Sequence, residues 1–186
     1  IYIGKATNVR RRVSGYFRAS DESPGKLARL RADAVSLVVY PCGSELESLL
    51  YEYRLIRKYN PALNTQARIS ERKGKYQPID DCVVLLGHAR EGMGMSVWFR
   101  REQKIQLRPF DDDFSEREQL ADELERFFFG ETLPPEESDF PEQEIAYRWL
   151  RRHMDSLTVV PASRMASGEE VADAMQVAWR EDTAWS

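Results

Sequence analysis

The chain predicts an α/β protein, a small mixed β-sheet flanked by helices, followed by an α+β accessory domain. Three observations carry this. Short β-branched or apolar runs, Val35 to Tyr40 and Cys82 to Leu86 among them, alternate with stretches of helical periodicity. Proline and glycine punctuate the helical stretches at their ends. The charge also reverses along the chain: Ile1 to Tyr76 holds 15 Lys and Arg against 7 Asp and Glu, and Gln77 to Ser186 holds 12 against 24. The division gives a basic domain over 1–76 and an acidic accessory domain over 77–186.

In the basic part, a strand fragment Ile1 to Gly4 leads through a polar turn to a helix from about Asn8, its N-cap, to Tyr16. A turn at Ser20 to Ser23 and Pro24 open a second helix that runs to about Asp33. Val35 to Tyr40, bounded by Pro41 and Gly43, reads as a buried strand. Ser44 caps a third helix with Glu47 completing a capping box, its apolar face formed by Leu46, Leu49, Leu50, Leu55 and Ile56, and Pro61 ends it. Ala67 to Gln77, with four cations and little apolar periodicity, reads as a mobile basic loop.

Short strands follow at Cys82 to Leu86, Met95 to Arg100 and Lys104 to Leu107, the last two joined by a tight turn. Ser115 caps a helix over Glu116 to Phe129 that Gly130 stops. After a loop at Glu131 to Ser138 come a helix at Pro141 to Asp155, a strand at Leu157 to Val160 and a last helix at Gly168 to Trp179.

The 186 residues are 42% hydrophobic and 31% charged, an ordinary globular composition. Two cysteines cannot build a disulfide scaffold or a four-thiolate metal site, and no apolar run is long enough to span a bilayer. These features point to the cytoplasm. Ile1 already lies inside an apolar run, so the chain reads as a fragment whose natural N-terminus lies upstream.

The basic part gathers polar residues that folding does not demand. Tyr2 alternates with the apolar side chains of its strand, and Gly4 permits close approach of a ligand before Lys5. Arg12 and Tyr16, four apart, share a helical face. Glu52 sits at the margin of the third helix's apolar side, and Asn64 follows Pro61. Together they supply what phosphodiester hydrolysis needs. A lone carboxylate can hold one hydrated divalent cation, a guanidinium can neutralise equatorial phosphate oxygens, and a tyrosine can position or deprotonate water. Electrostatic contacts of this kind are typically worth about 3 to 4 kcal/mol each.

The segment Tyr2-Ile3-Gly4-Lys5-Ala6-Thr7-Asn8, with Arg12, Val13, Tyr16 and Phe17, resembles the second half of the GIY-YIG nuclease signature in its UvrC-type version. A second segment, Ser44 to Glu52 with Leu55-Ile56-Arg57 and Pro61-Ala62-Leu63-Asn64, is similar to the family's metal-binding helix and the Pro-x-x-Asn after it. The resemblance implies catalytic roles for Tyr2, Arg12, Tyr16 and Glu52, with Glu52 the sole protein ligand of one Mg²⁺ or Mn²⁺. It places Gly4, Lys5 and Asn64 on the nucleic-acid side of the site, Asn64 closing it. The first signature strand, Gly-Ile-Tyr, would precede Ile1, and without it the chain as given is expected to be inactive. The acidic part resembles nothing as sharply. Short UvrC homologues, or proteins that fuse an exonuclease to a UvrC-like region, offer the nearest layout.

Other residues divide between functional and plain readings. Asn8, Arg10, Arg11, Lys73 and Lys75 are candidate nucleic-acid contacts, although Arg10 and Arg11 serve equally as solvated charge and the loop with Lys73 and Lys75 equally as an ordinary loop. Asp111 to Asp113 reads as a solvated run before a helix, Cys42 and Cys82 as buried thiols, and Phe127 to Phe129 with Trp149 and Leu150 as a second core. His88 and His153 lack ligand-spaced partners. The expected function is metal-dependent incision of DNA in nucleotide excision repair. The alternative is a catalytically inactive DNA-binding module of a repair or exonuclease-fusion protein. DNA is the expected partner, joined by repair proteins through 77–186, with no membrane involved.

Overall fold

A computed structural model describes residues 1–18, 25–64, 79–101, 103, 105–131 and 140–183. It has the mixed helix-and-strand class that the sequence predicts. The chain divides into two units, Ile1–Pro41 with Ser48–Arg72, and Cys42–Glu47 with Lys73–Ser186.

In the first unit the N-terminal segment enters helix α1 (Val9–Arg18). Asn8 is its cap, its Oδ1 accepting the Arg11 N–H at 2.8 Å while its carbonyl accepts that of Arg12 at 3.1 Å. Helix α2 (Lys26–Asp33) starts after Gly25, whose φ of 104° favours glycine, and buries Leu30. Helix α3 (Glu45–Tyr59), which belongs to this unit from Ser48 onward, ends at Asn60, which adopts φ 41° and donates its N–H to Ile56 O at 2.8 Å before Pro61. Leu46 and Leu50 of α3 are fully buried. At its start Ser44 Oγ accepts the Glu47 N–H at 3.1 Å, as a capping box requires. The Glu47 carboxylate reaches one residue further back than expected and takes the Gly43 N–H at 2.8 Å.

Two strands predicted here are not formed. Ile1 to Gly4 and Val35 to Tyr40 are neither helix nor strand and lie in no hydrogen-bonded ladder among the described residues. Val35 is 97% exposed and Val38 69%, so the expected burial is also absent. The cause is physical: a β-branched run sets backbone preference, whereas a strand exists only when a neighbour supplies its hydrogen bonds.

The second unit is a four-stranded antiparallel sheet in the order β3-β2-β1-β4, formed by β1 (Cys82–Gly87), β2 (Met93–Phe99), β3 (Gln106–Asp111) and β4 (Thr158–Val160). Strand alternation sends Val83, Leu85, Trp98, Phe110 and Val160 to one face, where they meet α4 (Arg117–Leu124), a π-helical turn Glu125–Phe129, and α6 (Gly168–Thr183). Buried Ser96 on this face is satisfied, donating to Arg108 O and accepting from Trp98 Nε1, both at 2.8 Å. Gly168 lets α6 approach α4, because a Cβ there would lie 2.3 Å from Ala121 O and 2.4 Å from Glu125 N. On the opposite face, Phe99 packs 5.8 Å from Tyr147 of α5 (Phe140–His153).

Three further expectations need correction. Ser115 does not cap α4: Glu116 is the N-cap residue, and the Ser115 hydroxyl instead donates to the Asp111 carboxylate, which holds that acid below its ordinary value. The predicted helix Glu116 to Phe129 is α-helical only to Leu124 and then widens into the π-turn, where Phe127, Phe128 and Phe129 turn toward the core. Cys42 is half-buried rather than buried, while Cys82 is buried and its thiol is pushed up to about 12, burial being the main cause. No helix among the described residues is long and apolar enough to cross a membrane.

Candidate functional site

The predicted site residues of the first unit converge on the segment Tyr2 to Lys5. Helix periodicity puts Arg12 and Tyr16 one turn apart on α1, and both reach this segment. The Arg12 guanidinium donates through Nη2 to the Tyr2 hydroxyl and through Nε to the Tyr16 hydroxyl, each at 2.8 Å. The two phenol rings meet edge to face, centroids 6.3 Å apart at 83°. Since both hydroxyl oxygens accept from Arg12, each O–H keeps its proton for another acceptor.

Gly4 makes this packing feasible. A Cβ at that position would stand 2.5 Å from the Tyr2 hydroxyl oxygen and 2.8 Å from Cζ of the same ring. Glu52, projecting half-buried from α3, accepts the Lys5 N–H on Oε1 at 3.0 Å. Asn64 pairs both ends of its amide with the Ile3 backbone, Oδ1 accepting the N–H at 2.9 Å and Nδ2 donating to the carbonyl at 2.7 Å. Leu63 N–H adds a bond to Ile1 O at 3.0 Å. The loop after α3 thus holds the segment much as a neighbouring strand would.

The electrostatics follow from these contacts. Hydrogen bonds to Tyr2 and Tyr16 raise the Arg12 guanidinium above its already high value, so it is a permanent cation. Burial raises the Tyr16 phenol above its ordinary value, outweighing the opposite pull of Arg12. Tyr16 is therefore a neutral donor at physiological pH. Arg10 and Arg11 lie exposed on α1, apart from the Tyr2 cluster, and the Asn8 side chain spends its oxygen on the helix cap. Lys73 and Lys75 fall outside the described residues.

Lys26 escaped the sequence reading. Its Nζ lies 4.0 Å from the Tyr2 ring centroid, a contact between α2 and the first segment that no local pattern announces.

No group of three or more His, Cys, Asp or Glu side chains among the described residues could enclose a metal. Glu52 offers a carboxylate to the Tyr2 to Lys5 segment, with one oxygen bound to Lys5 N–H. A single hard oxygen donor suits a divalent ion that keeps most of its water, such as Mg²⁺ or Mn²⁺, and does not suit a zinc site.

Comparison with known proteins covers the same residues. The profile of the UvrC-like GIY-YIG domain matches residues 1–65. UvrABC system protein C of Bradyrhizobium diazoefficiens is 38% identical over 68 residues, which are 37% of this chain and 10% of that protein. Its counterpart from Dictyoglomus thermophilum is 43% identical over 68 residues, 37% of this chain and 11% of that protein. The Idiomarina loihiensis protein is 32% identical over 120 residues, 64% of this chain and 18% of its own length, so that similarity extends past the matched domain. The chain thus spans less than a fifth of the length of these relatives. No solved structure matches it. The two signature segments are joined through Glu52 and Asn64, and the residues that carry them, 1–65, are the ones that match the UvrC-like GIY-YIG domain.

Proposed function

We propose that the chain carries a metal-dependent endonuclease domain over 1–76 that hydrolyses DNA phosphodiester bonds, acting at the incision step of nucleotide excision repair in the cytoplasm. The observation that carries this is the Arg12 fork on the Tyr2 and Tyr16 hydroxyls, tied through the Tyr2 to Lys5 segment to the Glu52 carboxylate. Arg12 faces the scissile phosphate as a fixed cation and stabilises the charge that grows on its equatorial oxygens. Tyr2, its hydroxyl oriented by Arg12, aligns the attacking water. Tyr16 remains protonated and donates a hydrogen bond to the phosphate. Glu52 is the residue that would hold one Mg²⁺ or Mn²⁺, which when bound acts as a Lewis acid on a phosphate oxygen and on the leaving group.

Lys5, Asn8, Arg10, Arg11, Asn64, Lys73 and Lys75 are the proposed DNA-binding residues. The excess of positive charge over 1–76 favours the DNA backbone. The acidic part, 77–186, is the proposed docking region for repair proteins.

The test is Glu52→Gln in a protein that carries a Gly-Ile-Tyr strand ahead of Ile1, assayed for nicking of damaged or branched DNA with Mg²⁺. The expected loss is on the order of 10²- to 10³-fold. Nicking at the parental rate would remove Glu52 from its role. One observation favours a second reading, a DNA-binding module without chemistry: neither Ile1 to Gly4 nor Val35 to Tyr40 is laddered among the described residues, so no sheet among those residues backs the site. Salt-sensitive DNA binding without cleavage in the extended protein would select that reading.

A further inference from the structure

Lys26 belongs to neither signature segment, yet it touches the proposed site. It is the first residue of α2, a helix with no acidic residue in its first turn and no side-chain cap. A cation there opposes the positive end of the helix dipole and works against the local structure. Where a residue contradicts the element that carries it, some other contact accounts for its placement. Here that contact is the Tyr2 ring, 4.0 Å from Nζ, where the ring's negative face attracts an ammonium.

The contact completes a set. Arg12 fixes the hydroxyl oxygen of Tyr2 at 2.8 Å, and Tyr16 meets the ring edge to face. Hydrogen bonds hold the oxygen end of the ring, and pivoting about that end is resisted through the contacts the ring itself makes. A cation on the face opposes that pivot, and Gly4 supplies the room for the phenol end.

We propose that Lys26 is a positioning residue for Tyr2, its ammonium holding the plane of the ring so that the hydroxyl presents one orientation to water and phosphate. The proposal rests on the nuclease reading above. Lys26 acts through Tyr2 rather than on the reacting phosphate, and this distinguishes it from Arg12.

Two measurements decide it. In the 186-residue chain, the Lys26 ε-methylene protons should resonate upfield of an exposed lysine's, because they lie over an aromatic face, and Tyr2→Leu should remove that shift. In a protein that carries a Gly-Ile-Tyr strand ahead of Ile1, Lys26→Gln should lower kcat for DNA nicking about fivefold, the size of a cation–π contact, with KM nearly unchanged. Lys26→Arg should restore kcat, since a guanidinium also stacks on a phenol. An unshifted ε-methylene, or a Lys26→Gln variant with normal kcat and raised KM, would overturn the proposal, the latter marking a plain phosphate contact. If the parent does not nick DNA, the nuclease reading fails, and the resonance still decides whether Lys26 holds Tyr2.

Discussion

Replacing Asn64 with alanine should loosen the chain at Ile3 while leaving the rest of the domain folded. The side chain makes two hydrogen bonds to the Ile3 backbone, 2.9 Å and 2.7 Å long, in a half-buried setting. Each such bond contributes about 0.5 to 1.5 kcal/mol net, and truncation also leaves a backbone donor and acceptor to incoming water, so about 2 kcal/mol is the expected local cost. The Leu63 to Ile1 bond survives, which confines the effect to one point. Hydrogen exchange reads it directly: the Ile3 amide should exchange roughly 30-fold faster, at about 1.4 kcal/mol per tenfold. Asn64→Asp gives a sharper version. An ionised carboxylate still accepts the Ile3 N–H but sets a lone pair against the Ile3 carbonyl, whereas the protonated acid recovers a donor. Folding therefore raises that acid's pKa above the ordinary value of about 3.9, and its stabilising contribution is complete below that value and lost as pH rises through the raised one. Ile3 protection in Asn64→Asp should thus fall between acid and neutral pH. An Ile3 amide that exchanges at the parental rate in Asn64→Ala would refute the reasoning.

The other expectations are briefer. Arg12→Lys keeps the charge but cannot fork onto two hydroxyls, so nicking by the strand-extended protein should fall about a hundredfold, and near-normal turnover would show that charge alone suffices. With the Cys82 thiol pushed up to about 12, a thiol reagent at pH 8 should modify Cys42 well before Cys82, a sequence that mass mapping would establish. Gly168→Ala must push backbone apart at Ala121 and Glu125, costing about 1 to 3 kcal/mol, and an unchanged thermal midpoint would contradict the close approach of α6 to α4.

The candidate site was legible where the chemistry is local or the spacing fixed. Arg12 and Tyr16 share a face because a helix turns in 3.6 residues, and Asn8 and Ser44 cap because their side chains reach N–H groups three positions on. The pairing of Asn64 with Ile3 spans 61 residues and leaves no periodic trace. Asn64 drew notice for its amide and its place after Pro61, with nothing to name its partner, and Lys26, outside both signature segments, was missed. Val35 to Tyr40 shows the limit for fold: side-chain shape determines how willingly a chain extends, and partners determine whether it becomes a strand. At Asp111 to Ser115 two polar residues compete for one role. Ser115 bonds Asp111 four residues back, and the helix begins without its help.

The exposed run Val35-Ser36-Leu37-Val38-Val39-Tyr40 bears on how the protein behaves in the tube. It combines high β-propensity with no charge and no proline, the composition from which cross-β stacks nucleate. Asp33 and Pro41 stand on either side as gatekeepers, but nothing within the run interrupts it, whereas edge strand β3 carries Pro109. Concentrated solutions of this chain should therefore self-associate through residues 35–40, and a lysine placed at Val38 would be the economical way to keep it monomeric.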